Sequence, residues 1–126
     1  MKLIKGLFLL VMILLATACS EELTREQEAD LLKEQLARIE AMASTESCQL
    51  GQSFGITPFG HKGCGGPVGF MAYSLDIDVV EFLAAVESYS EAQRAFNLKW
   101  GVISDCSLPA APSSAICQDG QVTLVY

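Results

Sequence analysis

The chain has 126 residues, with eight basic and fifteen acidic side chains and a formal charge of −7 at pH 7. A surface this acidic repels phosphate backbones and anionic headgroups, which argues against nucleic acid as a partner. The length fits one folded domain rather than two.

Residues 1–18 are typical of a signal peptide. Lys2 and Lys5 form a positive start, residues 7–15 are apolar, and residues 16–18 read Ala-Thr-Ala. The apolar run of nine residues is shorter than the roughly 17–25 residues of a membrane-spanning helix. This layout predicts export and cleavage before Cys19. Six basic and fifteen acidic residues lie beyond the signal, which leaves a formal charge of −9.

Two interpretations of the cleaved bond remain open. Ala-x-Ala suits ordinary secretion, whereas residues 15–19 resemble a bacterial lipobox, in which the cysteine carries lipid and becomes the first residue. The chain has five cysteines, and lipid on Cys19 leaves four, an even number suited to an oxidising compartment. We therefore predict a palmitate-type lipid anchor on Cys19, which is the predicted membrane contact, and an outer-membrane location in the cell envelope.

The residues after Cys19 bear on which side of the membrane the protein faces. Residues 20–22, Ser-Glu-Glu, resemble a short tag that directs some bacterial lipoproteins to the cell surface. An acidic first turn of a helix, which the helix dipole stabilises, is the favoured explanation of the same residues.

Residues 19–46 are predicted to form a lipid-anchored helical segment. Thr24 and Gln27 have the spacing of a capping box, and apolar residues follow at helical intervals with acidic residues on the other face. The helix is expected to be either a stalk or an element docked on the domain edge.

Residues 47–126 are predicted to form the disulfide-stabilised domain, which opens with a glycine-rich stretch. Short strands are expected at 54–59 and 68–74, on either side of the segment 60–67. That segment is predicted to be either a turn pinned by a disulfide or a ligand loop that binds anions through backbone N–H groups. The candidate binding residues are His61, Lys62, Gly63, Gly65 and Gly66. We expect Lys62 to be a free positive charge, so that Lys62→Ala changes stability by less than about 0.5 kcal/mol.

The second half of the domain predicts a long helix and three strands. Residues 79–100 have an apolar stripe at helical spacing, with Asp78 as N-cap and Gly101 as the stop. Strands are predicted at 102–106, 114–118 and 121–126, the last two joined by an Asp-Gly turn. The order of elements predicts an α+β fold: one small antiparallel sheet of four or five strands, covered by the long helix and preceded by the N-terminal helix.

Four cysteines of the domain allow three disulfide pairings. The pairs Cys64–Cys106 and Cys48–Cys117 are favoured, because they join early strands to late ones across the helix. No two cysteines have the spacing of a zinc knuckle, so neither a metal site nor a cofactor is predicted.

The chain offers little for catalysis, and no catalytic residue is predicted. His61 is its one histidine, and no serine lies in a Gly-x-Ser-x-Gly elbow. The first hypothesis is a binding module for a small ligand or an envelope protein. The alternative is an inhibitor of an exported protease or lysozyme that presents Ser107–Ala115, a proline-stiffened loop between two cysteines. The same loop is also explained as a plain connection between strands.

Several short motifs together resemble a set of small predicted bacterial lipoproteins. The resemblance covers most of residues 48–126 and implies a domain boundary and an envelope location, but no mechanism. Gly63 stands where this resemblance leads us to expect Pro or Ala, which predicts a looser turn. The matching residues are Gly60, Lys62, Cys64-Gly65-Gly66-Pro67, Tyr73-Ser74, Phe96-Asn97, Gly101, Ser104-Asp105-Cys106, and Cys117 with Gly120.

Overall fold

The computed structural model describes residues 21–126, so the signal peptide and Cys19 lie outside the described residues. The mixed α+β class is confirmed. Among residues 21–126, no helix has the length and apolar character needed to cross a bilayer. The elements in chain order are α1 (Arg25–Ala43), β1 (Phe54–Phe59), β2 (Gly69–Ser74), α2 (Val79–Trp100), β3 (Ser114–Gln118) and β4 (Gln121–Val125).

The strands form two separate hairpins, so the prediction of one sheet with four or five strands was wrong. β1 pairs antiparallel with β2, and β3 pairs antiparallel with β4. The first hairpin contacts the second, β1 against β3 and β2 against β4, without ladder hydrogen bonds between them. Pro58 in β1 lacks an N–H donor, which suits a strand with an unpaired edge. The predicted strand at 102–106 was also wrong, because these residues are irregular.

Both helices begin at the residues that the sequence indicates. In α1, the Gln27 N–H donates to Thr24 Oγ1 at 3.3 Å, and the Thr24 N–H donates to Gln27 Oε1 at 2.9 Å. In α2, the Glu81 N–H donates to Asp78 Oδ1 at 2.9 Å. Gly101 ends α2 with a φ of 60°, a left-handed conformation that glycine adopts without steric cost.

The hydrophobic core lies between α1, β2 and α2. Phe82 has no exposed surface, and its ring centroid is 4.9 Å from that of Tyr73 on β2. Ile39 and Ala43 on α1 are buried in the same cluster as Val86 on α2. Burial of each large apolar side chain contributes about 1.5–3 kcal/mol. In the described structure, α1 therefore packs as part of the core.

A glycine in β1 makes room for the aromatic ring that links the first hairpin to α2. Gly55 lies directly opposite Tyr73 in the antiparallel ladder. An ideal Cβ on Gly55 would lie 2.2 Å from the Tyr73 ring carbon Cζ. A side chain at position 55 would therefore displace the ring that packs on Phe82.

We expect Gly55→Ala to lower the free energy of unfolding by about 1–3 kcal/mol, as for an overpacked core. Gly69→Ala is the matched control, since a Cβ there would lie 3.2 Å from the Phe59 ring and needs only a small shift. Urea denaturation of the two variants measures the difference. Equal stabilities would contradict the packing of Tyr73 over Gly55.

Four residues join the start of α1 to the end of α2, and we call them the latch. Lys99 Nζ lies 2.7 Å from Glu28 Oε1 and 3.0 Å from Glu22 Oε1. Trp100 Nε1 donates to the second Glu28 oxygen at 2.7 Å. Hydrogen bonds from Lys99 and then Trp100 hold the pKa of Glu28 below its ordinary value. The bonds to Glu28 and then Glu22 raise the pKa of Lys99.

The latch predicts acid sensitivity. Because the folded-state pKa of Glu28 is depressed below 4.5, its stabilisation is present above that value and is lost as the pH falls through the lowered one. Glu28→Gln should therefore lower Tm at neutral pH and flatten the decline of Tm toward about pH 3. Thermal melts across this range provide the measurement, with Glu34→Gln on the exposed part of α1 as the control. Parallel declines of wild type and Glu28→Gln would show that the latch has no pH-dependent role.

Candidate functional site

The predicted glycine loop, residues 60–66, is fastened to α2. The Gly60 N–H donates to Ser90 Oγ at 2.9 Å. The His61 N–H donates to Gln93 Oε1 at 2.7 Å, and the His61 carbonyl accepts from Asn97 Nδ2 at 2.6 Å. These three contacts were not predicted, because polar side chains on a helix carry no local signal for a distant partner.

The glycine loop also closes on itself as a tight turn. The Lys62 N–H donates to the Gly66 carbonyl at 2.9 Å, and the Gly65 N–H donates to the Lys62 carbonyl at 2.9 Å. Gly65 and Gly66 have φ values of 95° and 80°, a region that favours glycine. The Cys64 N–H donates to Ser104 Oγ at 3.2 Å. With the bonds to α2, these contacts occupy five N–H groups of the loop within the domain, which argues against an anion-binding nest.

Lys62 is paired, in contrast to the free charge that we expected. Its side chain is only 16% exposed, and its ammonium group contacts the Asp105 carboxylate. The same ammonium donates to the Ser107 carbonyl at 2.7 Å. Hydrogen bonds from Lys62 and then Ser107 lower the pKa of Asp105. Lys62 therefore holds the chain that follows α2, and Asp105 compensates its charge locally.

His61 has one feature that the fold does not satisfy. Its ring nitrogen Nδ1 is buried and finds no hydrogen-bond partner among residues 21–126. A buried polar atom without a partner costs about 1–3 kcal/mol. The backbone of His61 is nevertheless fully used, as donor and as acceptor, in fastening the loop to α2.

Residues 102–113, which we call the braced loop, connect α2 to β3 without regular structure. Cys106 forms a disulfide with Cys64, with the two Cα atoms 5.4 Å apart. Cys117, four residues past the end of the loop, forms a disulfide with Cys48 at a Cα separation of 5.7 Å. The two predicted disulfides are confirmed, including the favoured pairing.

Contacts along its sides fix the course of the braced loop. An ideal Cβ on Gly63 would lie 2.3 Å from the Val102 carbonyl oxygen, so glycine is needed for this close approach. At the other end, the Ser113 N–H donates to the Val125 carbonyl at 2.7 Å. The first residues of the loop thus contact the glycine loop instead of a strand edge, which explains why 102–106 is not a strand. We expected Gly63 to loosen the turn of the glycine loop. In the structure, Gly63 instead allows the close approach of the Val102 carbonyl.

Two large apolar side chains project from the braced loop into solvent. Ile103 is 93% exposed and Leu108 is 73% exposed. Pro109 and Pro112 restrict the backbone between Leu108 and β3. The exposure of Ile103 was not predicted, because a strand at 102–106 implied half-buried side chains. A braced loop with exposed apolar side chains is suited to bury them against another protein at little entropic cost.

A separate cleft of about 580 Å³ opens where the end of α1 meets both hairpins. Its lining includes the apolar side chains of Phe59, Met71 and Leu124 and the carboxylates of Glu40 and Glu46. This volume lies within the usual range of small-molecule sites. The chemistry of the lining suits a ligand with an apolar body and a positive group.

Neither a metal-binding cluster of the described residues nor a similar known protein indicates a further site. Within the part of the chain that the structure describes, no cluster of three or more His, Cys, Asp or Glu side chains could hold a metal ion. No protein-family model matches the sequence, and comparisons with curated proteins and with solved structures find no significant match.

The pairing of Lys62 predicts a structural effect of its removal. We expect Lys62→Ala to lower the free energy of unfolding by about 1–2 kcal/mol, because a largely buried ammonium loses its carboxylate and carbonyl partners. It should also speed proteolytic cleavage within residues 102–113. Lys33→Ala is the control, because Lys33 and its partner Asp30 are both largely exposed and contribute little. Urea melts and limited proteolysis are the measurements, and equal effects of the two substitutions would contradict the bracing role.

Proposed function

We propose that this protein is a lipid-anchored, extracytoplasmic binding module that engages a protein partner through the braced loop. The observation that carries the proposal is the exposure of Ile103 and Leu108 on either side of Cys106, which a disulfide to Cys64 holds in place, while a second disulfide holds Cys117 in the strand that follows. The export signal and the lipobox-like residues 15–19 support a location in the cell envelope. No catalytic group is required for this function.

Binding by the braced loop follows from its energetics. Large apolar side chains in exposed positions gain about 1.5–3 kcal/mol each when a partner buries them fully. The disulfides and Lys62 restrict the loop before binding, so less conformational entropy is lost in the complex. The formal charge of −9 beyond the signal favours a partner with a basic rim around an apolar pocket.

Inhibition of an exported hydrolase is the second candidate, and Leu108 is the observation that favours it. This side chain is exposed two residues after a disulfide-bonded cysteine, and Lys62 holds the preceding carbonyl of Ser107. A protease pocket for apolar residues would accept Leu108, and Pro109 after it would hinder cleavage of the bound loop. Inhibition assays against exported serine proteases and lysozyme separate an inhibitor from a binder without such activity.

The lipid anchor is tested by the mass of the mature protein. Protein from the membrane fraction should begin at Cys19 and carry additional acyl mass. The Cys19→Ser variant should lose both the acyl mass and the membrane association. An unmodified mature chain found in the medium would contradict the anchor.

Partner binding is tested by charge placed on the braced loop. Ile103→Glu combined with Leu108→Glu should weaken capture of a partner from envelope extract on the order of tenfold or more, as for central interface residues. Thermal melts should stay near those of wild type, because both side chains are exposed. Val80→Glu is the matched control, since Val80 is 81% exposed in the first turn of α2, about 30 Å from its other end. Equal capture by all variants would exclude the braced loop as the binding surface.

A further inference from the structure

A second groove, between α1 and α2, has apolar walls and no element of the described chain covering it. Its space is about 410 Å³. Leu31 and Leu32 line it from α1, and Ala92, Ala95 and Phe96 line it from α2. Leu31 is 50% exposed there. Exposed apolar surface of this kind, built from two helices, indicates a ligand of apolar chemistry.

The two ends of the groove differ in charge, because Gln35 and Ala92 at the far end are uncharged. Glu28 and Lys99, both members of the latch, lie at one end of its lining. Glu22 lies 3.0 Å from the same lysine, so the first residues of the described chain reach the polar end of the groove. A ligand with an apolar tail and a polar head would match this order.

The distance along the chain from the latch to the predicted lipid is short. Cys19 precedes Glu22 by three residues. A fully extended chain advances at most about 3.3–3.6 Å per residue, so three residues before Glu22 reach at most about 11 Å. The polar end of the groove is therefore within the reach of a lipid attached at that point of the chain.

We propose that the groove between α1 and α2 holds one acyl chain of the lipid on Cys19, an inference that rests on the lipid anchor proposed above. The tail lies along the leucines of α1 and Phe96, where Ala92 and Ala95 leave space for it. The polar carbonyl end lies toward Lys99. A space of 410 Å³ corresponds to roughly fourteen groups of the size of a water molecule, at about 30 Å³ each. The other chains of the lipid enter the bilayer and hold the domain close to it.

Photo-cross-linking of the native acyl chains tests the proposal on the intact protein. Cells are supplied with a fatty acid that carries a diazirine. The intact mass of the purified protein is first measured by mass spectrometry to show that Cys19 is acylated. After illumination, cross-links are expected on peptides that contain Leu31 and Leu32 or residues 92–96. An acylated protein without cross-links to these peptides overturns the groove proposal and leaves the anchor intact. A protein without acyl mass overturns the anchor, and the groove proposal with it.

Two exposed alanines of α2 make a matched pair of variants. Ala95→Glu places a carboxylate in the groove and should reduce the cross-link yield at least about fivefold, because an acyl chain lying there would remove water from the carboxylate. Ala84→Glu is the control, because Ala84 is exposed on the same helix and lies outside the groove lining. This substitution should leave the cross-link yield unchanged. A mixture of isotopically light and heavy protein separates cross-links within one chain from those between chains. Cross-links that join different copies would assign the groove to a second molecule and overturn the proposal.

Discussion

The rest of the structure depends on the burial of the apolar stripe of α2. Phe82, in the first turn of the helix, has no exposed surface, and three separate parts of the chain pack around that stripe or bond to the same helix. Tyr73 joins the first hairpin to it, Ile39 joins α1 to it, and the glycine loop is fastened further along by hydrogen bonds. A domain of this size has a small core, so the loss of any one of these contacts removes a large share of its stability.

The candidate binding surface is supported in steps that begin at α2. The helix holds the glycine loop, and the glycine loop holds the braced loop through Lys62 and the Cys64–Cys106 disulfide. The second disulfide fixes the strand that follows. Disulfides contribute about 2–4 kcal/mol each to a domain of this kind. The positions of the exposed residues Ile103 and Leu108 thus depend on buried contacts of the glycine loop. The glycine loop supports the braced loop and is not itself the binding surface.

The latch and the braced loop lie at the same end of α2. Lys99 and Trp100 bind the start of α1, and the braced loop begins immediately after Gly101. A lipid attached at Cys19 would therefore bring the bilayer near Ile103. With such an anchor, a partner of the braced loop would bind close to the membrane surface. The cleft at the end of α1 is separate from that surface and would bind a different ligand.

Local patterns in the sequence were sufficient for both helices and for the four strands that form, although they also predicted a strand at 102–106 that does not form. Capping residues and apolar periodicity located both helices, the Asp119-Gly120 turn located the second hairpin, and both disulfide pairs were anticipated. Contacts between distant residues were decided only in the tertiary structure. Two hairpins form in place of one sheet, because a single sheet would require the edge of one hairpin to lie beside the edge of the other. Lys62 binds Asp105, which is 43 residues away in the sequence. The groove between α1 and α2 likewise exists only because α1 docks on α2, since such contacts depend on which surfaces the core brings together and not on the spacing of residues along the chain.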